Sequence, residues 1–180
     1  MNVDVFSVIV SYLDIIEDYD AIEAVLDSYT DKEYDIIMKF WKKHSCFETI
    51  EENNKIKYYI NGVLHRDDGP AMESKKRIEW WRYGLLHRDD GPAVVGSSLE
   101  WFRHGLKHRE DGPAFVQGKN TEWWLNGKRH REDGPAIEYE NGTTAWFFDG
   151  KLHCDDGPAI VHPNGYMIWY KNGKRIKDST

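Results

Sequence analysis

No lysine or arginine precedes Lys32, so the chain lacks the positive flank that a secretory leader places before its apolar run. The apolar stretch from Val5 to Leu13 is too short to cross a bilayer. The protein is therefore expected to be soluble and intracellular. Cysteine is scarce: Cys46 and Cys154 stand far apart, without the Cys-x-x-Cys spacing of a structural zinc site and too few for a disulfide framework. A reducing compartment suits such a sequence. A basic excess is also lacking. Residues 1–56 hold 13 acidic against five basic side chains and residues 57–180 hold 18 against 19, which gives the net charge of −7. Without a stripe of cations to neutralise phosphates, nucleic acid is not expected as a partner, and the net acidity weighs against membrane lipid.

Rings are abundant, at 14% of the chain beside 40% hydrophobic and 31% charged residues, which excludes a disordered chain. They follow a period. The block His65-Arg66-Asp67-Asp68-Gly69-Pro70-Ala71 returns at His87, His108, His130 and His153, at spacings of 22, 21, 22 and 23 residues. Five of the six prolines fall in these blocks. A fixed period of this size marks a repeat array.

Each block follows an aromatic pair and a glycine turn: Tyr58-Tyr59 with Gly62, Trp80-Trp81 with Gly84, Trp101-Phe102 with Gly105, Trp123-Trp124 with Gly127, Trp146-Phe147 with Gly150. A sixth copy, Trp169-Tyr170 with Gly173, has Ile176 where histidine is due. Asn61-Gly62, Asn126-Gly127, Asp149-Gly150 and Asn172-Gly173 accept positive φ and predict tight type I′ hairpin turns. A second short strand is expected after each Pro-Ala, at Met72, Val94, Phe115, Ile137 and Ile160. No single hairpin buries its rings alone, so the units are expected to stack into an elongated, twisted antiparallel sheet with the last copy as a cap.

Strand alternation places Trp80, Trp101, Trp123, Trp146 and Trp169 on a face with Ile78, Leu99, Thr121, Thr144 and Met167, which reads as core. The second rings, Tyr59, Trp81, Phe102, Trp124, Phe147 and Tyr170, share a face with Glu79, Glu100 and Glu122. That column is expected to be partly exposed and to form the protein-binding face.

The unit resembles the membrane occupation and recognition nexus (MORN) repeat, whose core reads Trp-x-Asn-Gly-Lys-x-His-Gly. Trp124-Leu125-Asn126-Gly127-Lys128-Arg129-His130 matches it up to the last glycine, where Arg131 stands, and the Asp-Gly-Pro-Ala that follows departs from the usual spacing. The chain thus looks like a variant class of the kind found in large DNA viruses and some bacteria. The resemblance covers residues 57–176 and implies a scaffold or docking surface.

His-Arg-Asp also occurs in protein kinases, but the phosphate loop, the strand lysine and the Asp-Phe-Gly of that fold are missing. An active site is one unequal constellation, whereas this motif recurs at one structural position. His65, His87, His108, His130 and His153, with Asp68, Asp90, Asp111, Asp133 and Asp156, therefore read as a structural motif. Asp-Gly-Pro builds a turn in which glycine is expected to supply an unusual φ, and histidine is placed to bond the neighbouring turn and form a ladder. No catalytic residue, metal or cofactor is expected.

Residues 3–16 are apolar on more than one side, and capping boxes at Asp20/Glu23 and Thr30/Glu33 start two further segments, so residues 1–50 predict three short helices. The opening resembles an F-box through Val5, Ile9, Ser11, Tyr12, Leu13 and Asp14, with Met1-Asn2 where Leu-Pro is usual. That resemblance implies docking to the adaptor of a cullin-type ubiquitin ligase through Val5, Ile9, Tyr12 and Leu13, while the repeats choose a target. The other reading is a helical cap or dimerisation element on a structural protein, such as a virion or assembly component. The expected class is α+β: a helical module at 1–50 and six β-repeats at 57–180, acting as a non-enzymatic protein-interaction adaptor. The protein is expected in the cytoplasm, of a host cell if viral, or in a virion.

Overall fold

A computed structural model describes residues 47–178 of the chain. The expected helices, with Val5, Ile9, Tyr12 and Leu13, lie outside the described residues. What is described is all-β. Residues 47–50, the end of the expected helical module, belong to the first strand.

The strands of the long sheet are β1 (Phe47–Glu52), β2 (Lys55–Ile60), β4 (Met72–Ser74), β5 (Ile78–Glu79), β8 (Val94–Val95), β9 (Leu99–Glu100) and β12 (Phe115–Gln117). It continues through β13 (Asn120–Glu122), β16 (Ile137–Glu138), β17 (Thr144–Ala145), β20 (Ile160–Val161), β21 (Met167–Lys171) and β22 (Lys174–Asp178). They pair in that order, each with the next, and β3 (Val63–Leu64) pairs with β2. Four small hairpins stand beside this sheet: β6 (Trp81–Arg82) with β7 (Leu85–Leu86), β10 (Phe102–Arg103) with β11 (Leu106–Lys107), β14 (Trp124–Leu125) with β15 (Lys128–Arg129), and β18 (Phe147–Phe148) with β19 (Lys151–Leu152). All pairings are antiparallel.

The chain passes from long sheet to hairpin at the first ring of each pair. Trp80 N–H donates to Ala93 O at 2.8 Å, while Trp80 O accepts from His87 N–H at 3.1 Å. One residue thus ties the Pro-Ala strand on one side to the histidine on the other. The same two bonds recur at Tyr58, Trp101, Trp123 and Trp146. The hairpins form a second ladder. Gly84 N–H donates to Leu64 O, Gly105 to Leu86, Gly127 to Lys107, Gly150 to Arg129 and Gly173 to Leu152, at 2.8–2.9 Å. Successive units are therefore joined through backbone twice over, which is how two-residue strands persist that would not survive alone.

The six hairpin turns that follow the ring pairs each place two residues at positive φ, as a type I′ turn demands. Where the sequence offers no Asn or Asp, Tyr83 and His104 take the left-handed position at 50° and 48°.

The core is narrower than rings would make it. Ala71, Ala93, Ala114, Ala136 and Ala159 have no exposed surface, and Ile60, Val94, Ile137 and Ala145 complete the buried apolar set. Both ring columns are half-buried. The inner face of the long sheet carries Met72, Glu79, Val94, Glu100, Phe115, Glu122, Ile137 and Ala145 in direct cross-strand register. On it Glu79 is 7% exposed, whereas Leu99 on the opposite face is 37% exposed. The expectation that the glutamate row marks the outer face is corrected: the row lies inside, because each carboxylate finds a donor there.

Candidate functional site

Each histidine of the repeat occupies the same joint. Its Nδ1 accepts the N–H of the first turn residue in the following repeat: Tyr83 to His65, His104 to His87, Asn126 to His108, Asp149 to His130 and Asn172 to His153, at 3.1–3.2 Å. A nitrogen that accepts carries no proton, so the ring proton sits on Nε2, which faces the carboxylate two residues on. The Nε2 distances are 3.2 Å to Asp67, 3.0 Å to Asp89, 3.5 Å to Glu110, 3.8 Å to Glu132 and 3.3 Å to Asp155. Burial holds His87 below its ordinary value, helped by the Arg82 charge and opposed by Asp89. The rings of Tyr83 and His104 lie against His65 and His87, with centroids 4.1 and 4.5 Å apart.

The next residue, arginine, makes a clamp. Arg66, Arg88, Arg109 and Arg131 each donate from Nε to the Asp two residues on, at 2.7–2.9 Å, and from Nη1 to the proline carbonyl, at 3.2–3.3 Å. Each guanidinium also covers the first ring of its repeat, with Cζ 4.1 Å from the centroid of Tyr58, 3.9 Å from Trp80, 4.1 Å from Trp101 and 4.2 Å from Trp123. The arginine hydrogen bond holds Asp68, Asp90, Asp111 and Asp133 below the usual carboxylate range. These carboxylates remain solvent-exposed, at 81–84%.

The clamp corrects the expected role of glycine in Asp-Gly-Pro. Gly69, Gly91, Gly112, Gly134 and Gly157 are not among the residues at positive φ. At Gly69, Gly91, Gly112 and Gly134 the guanidinium lies where a side chain would begin, so any larger residue obliges it to shift. A Cβ would stand 3.1 Å from Arg66 Cζ at Gly69, 2.8 Å from Arg109 Cζ at Gly112 and 2.7 Å from Arg131 Cζ at Gly134.

Comparison with protein-family models, curated proteins and solved structures gives no match to this chain. Its function rests on its own geometry.

The second rings sit one per hairpin and are engaged from within. Trp81 Nε1 donates to Glu79 at 2.7 Å, and Trp124 Nε1 to Glu122 at 3.0 Å. Glu79 also pairs with Arg77, Glu100 with Lys107 at 3.0 Å, and Glu122 with Arg129 at 3.2 Å. Lys107 lies 5.7 Å from the centroids of Phe102 and Trp124, and Arg129 lies 4.8 Å from that of Trp124 and 5.5 Å from that of Phe147. Tyr59 and Tyr170 occupy the same column at the two ends, both half-buried. The sequence reading placed these glutamates beside the second rings but took them as the mark of a partly exposed face and not as hydrogen-bond and ion-pair partners.

Between successive loops run grooves. One, of about 530 Å³, is lined by Arg66, Asp68, Pro70, Trp80, Arg88 and Asp90 among others. Another, of about 710 Å³, is lined by Arg131, Trp146, Phe147, Cys154, Asp156 and Pro158 among others. Among the described residues no group of three His, Cys, Asp or Glu side chains is placed to hold a metal ion, and no helix is long and apolar enough to cross a membrane.

Proposed function

We propose that the chain is a non-enzymatic protein-interaction adaptor built on a MORN-like repeat, which binds a target protein along its repeat array. The observation that carries this reading is the sameness of the motif. Five histidines bond five successive turns and four arginines clamp four successive loops with one geometry. Groups with chemistry to offer are thus spent on joining repeat to repeat and on holding each loop, and the outward product is a regular edge of carboxylates with grooves between them. With the second rings held against the glutamate row, the loop edge is the surface best suited to a partner, and donors on that partner would meet Asp68, Asp90, Asp111 and Asp133. In the same reading Val5, Ile9, Tyr12 and Leu13 recruit a ubiquitin-ligase adaptor. Affinity capture with the full chain, and with one carrying Asp at Val5, Ile9 and Leu13, tests that part. The ligase adaptor should be retained by the first and lost from the second. Its absence from both removes the ligase role and leaves the repeats as the sole binding element.

One observation favours a second reading, a structural component that assembles end to end. All six residues of β1 are exposed, Phe47 at 58% and Ile50 at 43%, and among the described residues β1 pairs with β2 alone. An open strand edge is a template for another copy. Light scattering across a concentration series separates the two readings: growth beyond the monomer that ceases on Ile50→Lys supports assembly.

A further inference from the structure

We propose that the fifth repeat holds an open receptor for an arginine side chain of a partner protein. Four repeats show what the receptor is, since in each a guanidinium lies on the first ring, bonds the Asp of Asp-Gly-Pro and bonds the proline carbonyl. The fifth repeat keeps the ring, Trp146, the carboxylate, Asp156, and the carbonyl acceptor, Pro158, but has Cys154 where the arginine stands elsewhere. Its backbone is unchanged: Cys154 N–H donates to Tyr170 O as Arg131 N–H donates to Phe147 O. Among the described residues no cation covers Trp146 and none pairs with Asp156.

The space is open as well as unpaired. A Cβ added to Gly157 would find Cys154 Sγ at 3.8 Å as its nearest neighbour, against 2.7 Å to Arg131 Cζ at the equivalent Gly134. The surrounding groove measures about 710 Å³, and the carboxylates of Glu132 and Asp155 also border it. Its one guanidinium, Arg131, is already held by Asp133 and Glu138.

Residues 1–46 and 179–180, outside the described residues, contain no arginine. A lysine would bring the charge but not the planar fork that meets ring, carboxylate and carbonyl together. The groove, at about 710 Å³, is also larger than one guanidinium requires, and Phe148, 47% exposed, borders it, so residues flanking the arginine have a surface to rest on. This inference deepens the protein-binding reading and rests on it for the source of the arginine.

The test titrates the full chain with the blocked tripeptide Ac-Gly-Arg-Gly-NH2 and follows the indole N–H signals by NMR. Saturable shifts are expected at Trp146 and not at Trp80, Trp101 or Trp123, with the citrulline tripeptide binding at least about tenfold more weakly, the worth of one charge-assisted bond. Asp156→Asn should lose the response and Cys154→Ala should keep it. Cys154→Arg should abolish binding while raising the melting temperature, because it completes the clamp from within. Equal binding of arginine and citrulline peptides, equal shifts at all four tryptophans, or undiminished binding by Cys154→Arg would overturn the proposal. So would binding of free arginine without the tripeptide, or a dimer that Cys154→Arg dissolves. Failure here leaves the ligase-adaptor capture experiment untouched, since that one does not depend on arginine.

Discussion

Gly112→Ala and Gly157→Ala make one chemical change at equivalent positions of two repeats, and the arginine clamp predicts effects of opposite sign. At Gly112 the new methyl would stand 2.8 Å from Arg109 Cζ and 3.0 Å from its Nε, so the guanidinium must shift, and at most the whole clamp is lost. Its contact with Trp101, at 4.1 Å, contributes roughly 0.5–1 kcal/mol and its bond to the Pro113 carbonyl, at 3.3 Å, roughly 1 kcal/mol. The Asp111 bond adds little, being exposed to water. Against these losses, alanine restricts the unfolded chain and returns about 0.4–1 kcal/mol. A net destabilisation of about 1 kcal/mol remains. At Gly157 the nearest atom is 3.8 Å away and there is no clamp to lose, so the unfolded-state term acts alone and stabilises by about 0.4–1 kcal/mol. The two variants should differ by roughly 1.5–2 kcal/mol, several degrees in melting temperature for a domain of this size. Circular dichroism melts under one buffer decide it. Equal melting temperatures, or a Gly157→Ala variant that falls as far as Gly112→Ala, would refute the account of the glycine as a seat for arginine.

The two ring columns should respond alike. Trp123→Ala and Trp124→Ala each remove a half-buried ring and should cost roughly 2–4 kcal/mol, and Trp124→Phe roughly 1 kcal/mol for the Glu122 bond alone, measured by urea unfolding; a stable Trp124→Ala would restore the second column as a free face. Stability should also fall with acid. Because burial keeps His87 below its ordinary value of 6.5, the unfolded chain takes the proton first. The stabilisation is thus complete above that value and is lost as pH falls through it and on through the folded one, where a protonated Nδ1 can no longer accept from His104 N–H. Urea midpoints between pH 7 and 5 should decline, and less so in His87→Gln; a flat wild-type profile would contradict the ladder. Replacing Arg88 by Lys should lower the melting temperature nearly as far as Arg88→Ala, since an ammonium cannot bond Asp90 and Pro92 while covering Trp80.

The hairpin register was legible because positive φ leaves a mark in sequence: Asn61, Asn126, Asp149 and Asn172 announce their turns, and glycine alone announces those at Gly84 and Gly105. The strand β1 was not read, although Asn53-Asn54, at φ 54° and 59°, forms its turn with β2. Alternation put Trp81 on the side of Glu79, where it lies, but it misassigned which side is inside, for a physical reason. Simple alternation treats Glu79-Trp80-Trp81 as one strand, but the strand changes ladders at Trp80, and only the carboxylate's partners, Arg77 and Trp81, show which side is inside. The arginine clamp escaped because its parts are not neighbours in sequence. Ring and guanidinium stand at Tyr58 and Arg66, Trp80 and Arg88, Trp101 and Arg109, Trp123 and Arg131, one constant spacing at which Trp146 meets Cys154 instead of arginine. That constancy was the available signal.

The thin core ties stability to function. With alanines as its continuous buried column, a single unit has little apolar area to offset the entropy of ordering, and what holds it is the backbone and histidine bonding to its neighbours. The grooves are made by neighbours too: the one beside Trp80 takes Arg66, Asp68 and Pro70 from one repeat and His87, Arg88 and Asp90 from the next. A partner seated there touches two repeats at once and binds only the stacked form, so it must stabilise the stack by an amount that rises with the logarithm of its concentration over Kd. Binding at a single groove should therefore raise the unfolding midpoint of the whole array rather than of one repeat.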